Sequence, residues 1–317
     1  MLAFVLRRLF HAVPLLIGVS VIGFAIMHLA PGGPLAVYTL NPTITSRDIE
    51  RIRVVLGLDQ PLPLQYLKWA TGMLTGNWGN TFFGGRPVFD VIIERVPATV
   101  LLMGSALAVS LLLGLLVGIV GAVRRGSVFD HLATTGALLA LSFPTFWFGL
   151  MAIFLFAVKL GWLPSGGMYE LGEEGNPLDL LRHLVLPVMV LALVLTASWS
   201  RYARSSFLEV MSQDYMRTAR AKGLTRRAQL LRHALPNAVK PLVALLGIEL
   251  PTLFSGALVT ETIFGWPGMG RLFVDALTMK EYPILMGMLM FTAIVVILAN
   301  LLADLVIALI DPRVRMS

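Results

Sequence analysis

Long apolar runs alternate with short basic turns and a few longer polar stretches along this 317-residue chain. Crossing hydrocarbon as a helix takes about 20 residues, and runs of that order lie at Ala12–Ala30, Ala98–Val123, Ala133–Val158, Leu184–Tyr202, Val239–Ile263 and Ile284–Ile310. The pattern predicts an all-α membrane protein with six transmembrane helices. The first run follows Arg7 and Arg8 and ends at Pro31-Gly32-Gly33-Pro34 without a small-x-small cleavage site, so a retained span is expected rather than a removed signal. Residues 1–34 then form the amino-terminal segment and first span. Residues 35–97 form a large external loop with short amphipathic helices, carrying Arg47, Asp48, Glu50, Arg51, Arg53, Asp59-Gln60-Pro61, Trp69 and Trp78. Residues 98–317 form the core transmembrane domain with the remaining five spans, including a polar stretch at 203–237.

Prolines and glycines refine the spans. Pro144, Pro187 and Pro251 interrupt three of them, and each frees a carbonyl that a neighbour or a wet cavity must satisfy. Gly114, Gly118 and Gly121 fall on or near one helix face, a spacing that lets two backbones approach closely.

Composition supports membrane residence, with 57% hydrophobic and 14% charged residues against about a quarter charged in ordinary soluble domains. A net charge of +7 does not point to nucleic acid, because the basic residues gather at the ends of apolar runs. They read instead as orientation signals. With the amino terminus cytoplasmic, the inside segments hold Arg7, Arg8, Arg124, Arg125, Arg201, Arg204, Arg217, Arg220, Lys222, Arg226, Arg227, Arg232, Lys240, Arg313 and Arg315, with only Asp130, Glu209, Asp214 and Asp311 as acids. Both termini cytoplasmic is the orientation this bias favours. The absence of cysteine excludes disulfides, thiolate nucleophiles and cysteine-bound metals.

The stretch 203–237, between the fourth and fifth spans, is too polar to cross a bilayer and too long for a turn. Its centre, Asp214-Tyr215-Met216-Arg217-Thr218-Ala219-Arg220-Ala221-Lys222-Gly223-Leu224, consists of good helix formers closed by a glycine. Small Thr218, Ala219 and Ala221 would leave a slim ridge flanked by Arg217, Arg220 and Lys222, suited to a groove on a soluble partner. Charge alone equally allows a basic helix lying on anionic lipid.

This stretch resembles the cytoplasmic loop of binding-protein-dependent ABC permeases, in which a glycine is followed at fixed distance by Leu-Pro. Here Gly223 is followed by Leu235-Pro236 at that distance. With His233, Asn237 and Ala238 it is similar to the dipeptide and oligopeptide branch, and to that branch's first membrane subunit. The likeness extends through Leu56-Gly57-Leu58-Asp59-Gln60-Pro61, Gln65-Tyr66, Gly76-Asn77-Trp78-Gly79, Arg124-Arg125-Gly126-Ser127, Phe129-Asp130-His131, Thr260 to Gly270, Glu281-Tyr282-Pro283 and Asp311-Pro312-Arg313. It departs where Arg217-Thr218-Ala219 replaces Glu-Ala-Ala, where Gly33 replaces Asp and where Pro236 replaces Arg. The resemblance implies a transport subunit of the inner (plasma) membrane that pairs with a second homologous permease, docks two cytoplasmic ATPases and receives solute from an external binding protein. Tyr215, Arg217, Thr218, Ala219, Arg220, Ala221, Lys222, Gly223, Leu224, Leu235 and Pro236 would then be the ATPase-coupling residues. ATP and Mg2+ would sit on partner subunits, with no cofactor on this chain. The branch spans dipeptides, longer peptides, glutathione and nickel complexes.

The residues agree that ATP chemistry lies elsewhere, since none of Lys68, Lys159, Lys222, Lys240 and Lys280 is followed by Ser or Thr as a P-loop requires. His11, His28, His131, His183 and His233 are scattered, so no metal site is expected. Glu249 and Asp304 fall inside spans, where an unpaired charge costs about 2.5–3.5 kcal/mol. Asp304 is expected to bond a neighbouring helix, whereas Glu249, with Pro251, Ser255 and Glu261, is a candidate for the solute path. A secondary carrier would show internal repeats and more intramembrane charge, and an intramembrane hydrolase a Gly-x-Ser-x-Gly elbow or paired carboxylates. None of these features is present.

Overall fold

The computed structural model describes residues 2–30, 32–35, 38, 45–249 and 257–310. In chain order the helices are α1 (Leu2–Leu29), α2 (Ser46–Val55), α3 (Leu62–Leu74), α4 (Val88–Val123), α5 (Val128–Ser142) and α6 (Thr145–Ala152), the last widening into a π-helical stretch at Ile153–Lys159. They continue with α7 (Pro177–Met211), α8 (Asp214–Ala221), α9 (Leu235–Glu249), α10 (Leu258–Ile263), α11 (Met269–Thr278) and α12 (Tyr282–Ile310). Among the described residues four helices are long and apolar enough to cross a membrane, and a fifth span results if α5 and α6 are counted together. Of the fifth expected span, Val239–Ile263, the structure describes α9 and α10, while 250–256 lie outside the described residues.

The third expected span, Ala133–Val158, is broken at the proline that interrupts it. Helices α5 and α6 meet at 98°. The cause is local, because a residue preceding proline is pushed out of the helical region, and Phe143 before Pro144 is extended at φ −90°, ψ 141°. Pro187, by contrast, lies within unbroken α7, and Pro251 falls outside the described residues.

The chain divides into two compact units, residues 1–97 with 268–317 and residues 98–267. In the first, α1 lies along α12, and a Cβ on Gly23 would collide with Leu289. Arg8 of α1 pairs with Asp304 of α12 at 3.0 Å, the interhelix bond expected of that acid. Helix α3 is tied to α1 by Ser20 and Tyr66 hydroxyls at 2.8 Å and by His28 against Gln65 at 3.0 Å. Gln65 also donates to the carbonyls of Leu58 and Gln60, which ties the turn at 56–61 to α3. The core of this unit is Val88, Val91, Ile92, Met269, Leu272, Ala276, Ile284 and Met288, with Trp78 against it.

In the second unit α4 runs along α7. Burial of apolar side chains drives helices together weakly in hydrocarbon, so close backbone approach decides. A Cβ on Gly118 would lie 2.5 Å from the Ser200 carbonyl oxygen and 2.7 Å from Ala203 Cβ, and one on Gly114 would lie 2.5 Å from Trp199 Cβ. The glycine face read from the sequence is therefore the α4–α7 seam. Leu107, Trp199, Ala203 and Leu242 continue the packing onto α9.

Candidate functional site

Helix α8 follows extended Gln213 and carries Asp214 in its first turn, where a carboxylate favours the positive end of the helix dipole. It ends on paired bonds, Gly223 N–H to Arg220 C=O at 2.9 Å and Leu224 N–H to Ala219 C=O at 3.3 Å. Such an ending needs a left-handed residue, and Gly223 supplies it at φ 74°.

Two faces separate on this short helix. Met216 and Ala219, three residues apart, are 0% and 4% exposed, and Met216 packs with Ala122, Phe207, Ala234 and Ala238. Tyr215, Arg217, Thr218, Arg220, Ala221 and Lys222 are exposed. The structure thus turns Ala219 toward the protein's own core, away from the outer ridge that the sequence suggested for it. The outer face keeps Thr218 and Ala221 as its small residues.

The segment is braced to the spans by side chains that donate to helix-end carbonyls. Arg220 Nη2 reaches Met211 C=O at 3.2 Å at the end of α7, and Arg226 Nη2 reaches Val123 C=O at 3.1 Å at the end of α4. Gln229 Nε2 donates to Leu224 C=O at 2.7 Å, and Ser206 Oγ to Ala238 C=O at 2.8 Å. Between α8 and α9 a single turn at Arg226–Ala228, capped by Thr225, widens into a π-helical stretch at Gln229–Ala234. Pro236 accounts for the widening: it has no N–H for the carbonyl four residues back and its ring crowds that carbonyl. Leu235 packs on the α8 cluster, whereas Pro236 is exposed.

A second polar centre lies between α5 and α7. Arg204 Nε and Nη2 donate to the two carboxylate oxygens of Asp130 at 2.6 and 2.8 Å, and Gly126 N–H donates to the same carboxylate at 2.9 Å. Asp130 is 3% exposed. The sequence marks Asp130 within its motif but gives no sign of its partner, which lies 74 positions away.

Glu249 is exposed at the end of α9, and Pro251 and Ser255 lie outside the described residues. Glu261 is 0% exposed and accepts the Thr99 hydroxyl at 2.8 Å. Nearby, Trp266 Nε1 donates to Ala98 C=O at 2.8 Å, so the stretch from Thr260 onward is a buried knot holding the start of the second unit. Glu281, also in a quoted motif, is 3% exposed and accepts the backbone N–H groups of Phe82 and Phe83 at 2.9 and 2.7 Å. Burial and the Glu281 charge push the nearby Tyr38 phenol above its ordinary value. Among the described residues no group of His, Cys, Asp and Glu is placed to hold a metal.

Comparison with known proteins places this architecture. The family described as binding-protein-dependent transport system inner membrane component matches residues 110–316, and its N-terminal companion matches residues 1–103. The oligopeptide transport system permease protein AppB of Bacillus subtilis is 39% identical over 316 residues, covering 99% of this chain and 100% of that protein. The dipeptide transport system permease protein DppB of Escherichia coli is 39% identical over 336 residues, covering 99% of each. A crystal structure of an amino acid ABC transporter with histidines shares the fold at a TM-score of 0.51 and 17% identity, over 71% of this chain and 94% of that one. Matched along its length by the family and end to end by relatives of its own size, the chain belongs to the binding-protein-dependent transport system inner membrane components.

Proposed function

We propose that the chain is the permease subunit of an ATP-driven importer of peptides, in keeping with the oligopeptide and dipeptide permeases it resembles. It crosses the inner membrane six times with both termini cytoplasmic, pairs with a second permease, and takes solute from an external binding protein. Two cytoplasmic ATPases drive it through α8 and the turn that follows. Tyr215, Arg217, Thr218, Arg220, Ala221 and Lys222 meet the ATPase, Ala219 and Leu235 seat the helix on the spans, and Gly223, Leu224 and Pro236 shape its exit.

The observation that carries this reading is the division of α8 into a buried apolar face and an exposed basic face. A helix of 8 residues has too little length to hold itself in water, so the inner face must fix it. The Arg220 brace to Met211 and the Arg226 brace to Val123 from the turn that follows then link movement of this segment to α7 and α4. An ATPase that closes and opens against the outer face would swing those spans, exposing a central path to one side and then the other.

The test is uptake into liposomes. The chain assembled with its second permease, ATPases and binding protein should accumulate labelled dipeptide only when ATP is supplied, and the chain alone should accumulate none. Accumulation by the chain alone would overturn the reading.

A further inference from the structure

A cavity of about 390 Å³ opens between α5 and α7, lined by Thr134, Ser198, Arg201, Tyr202, Arg204 and Ser205. Each of the six side chains carries a hydroxyl or a guanidinium at its tip beside apolar stems, the mixture of apolar wall and a few placed polar groups that ligand pockets use. The charges there do not cancel. Arg204 is matched by Asp130, whose two oxygens are taken by the guanidinium and the Gly126 N–H and which is itself buried. Arg201, one turn of side chains away on α7, forms no ion pair with an acid among the described residues. The cavity therefore holds one uncompensated positive charge, ringed by hydroxyls that both donate and accept.

Such a lining suits a small planar anion that a guanidinium grips with two hydrogen bonds. Resting on the peptide-importer reading above, we propose that this cavity is a way-station of the solute path that holds the carboxylate end of a passing peptide, with Arg201 as the principal contact. Arg204, already committed to Asp130, sets the shape of the cavity, and Ser198, Tyr202, Ser205 and Thr134 supply the remaining hydrogen bonds. A path needs stations that hold solute weakly enough to release it, and a half-open site with one unpaired cation meets that condition. A phospholipid headgroup phosphate offers the same chemistry, so the test must separate the two.

The experiment compares uptake of a dipeptide with uptake of the same dipeptide bearing a carboxamide end, by the assembled transporter in liposomes. Each substrate is compared between wild type and Arg201→Gln, so any preference of the binding protein cancels. Loss of one charge-assisted contact should lower uptake of the free-carboxylate peptide about tenfold and leave the amide within twofold, with only part of the loss restored in Arg201→Lys, which keeps the charge but not the paired hydrogen bonds. Equal loss for both peptides, or loss for neither, overturns the proposal. So does an Arg201→Gln effect that disappears when anionic phospholipid is omitted, because the anion would then be lipid. If the wild-type assembly imports no peptide at all, it is the importer reading that fails, a result distinct from an importer indifferent to Arg201.

Discussion

Asp130 and Arg204 show how one pair of residues can decide local geometry. The carboxylate is almost wholly enclosed while the guanidinium keeps 31% of its side chain exposed. Removing one partner from such a pair costs more than removing both, because the survivor is left with its desolvation and no compensation. Asp130→Asn should therefore lower the thermal midpoint of the purified chain in detergent, whereas Asp130→Asn with Arg204→Gln should recover part of the loss. A double variant no more stable than the single one would show that the pair contributes little. Gly126 is drawn into the same knot through its N–H, so the tight link between α4 and α5 should loosen in the single variant as well.

Among the elements, α8 makes the sharpest forecast because its two faces answer to different neighbours. Thr218→Trp adds bulk to the exposed face and should reduce ATPase co-purification at least tenfold while the midpoint of the chain stays within a few degrees. Ala219→Trp forces a large ring into a position that is only 4% exposed, and overpacking of this kind costs about 1–3 kcal/mol or more. It should unsettle the chain itself. If Thr218→Trp proved as destabilising as Ala219→Trp, the assignment of faces would be wrong. The sequence made the helix and its glycine stop readable, since helix propensity and a left-handed terminus are local properties. It did not show which way Ala219 points. With only 8 residues and few apolar positions, the helix is oriented by the packing of Met216 on Phe207 and Ala238, which belong to other helices. The same limit explains the third span: Pro144 was visible as an interruption, but its bend was not. The glycine face of α4 was legible as a surface for close contact, yet only the fold identifies α7 as what it meets. Cavities were the least readable, because they are lined by residues far apart in sequence, as Thr134 and Arg201 illustrate.

At the scale of the whole molecule, the two units differ in how the chain supplies them. Residues 98–267 are continuous, whereas the other unit takes its parts from both sides of that stretch. A chain ended after Pro267 keeps everything the continuous unit needs and lacks α11 and α12. Limited proteolysis of that shortened chain in membranes should cut rapidly between residues 45 and 87 while leaving 98–267 intact, and the full chain should resist at both places. Equal resistance of 45–87 in the two chains would refute the dependence. The pairing of α1 with α12, fixed by Gly23 against Leu289 and by Arg8 with Asp304, has a consequence for biosynthesis. Domains generally fold in the order in which the ribosome delivers them, but α1 must idle in the lipid until α12 is made. Until then Asp304 is not there for Arg8 to meet, so the nascent permease stays open to quality control until that pairing forms.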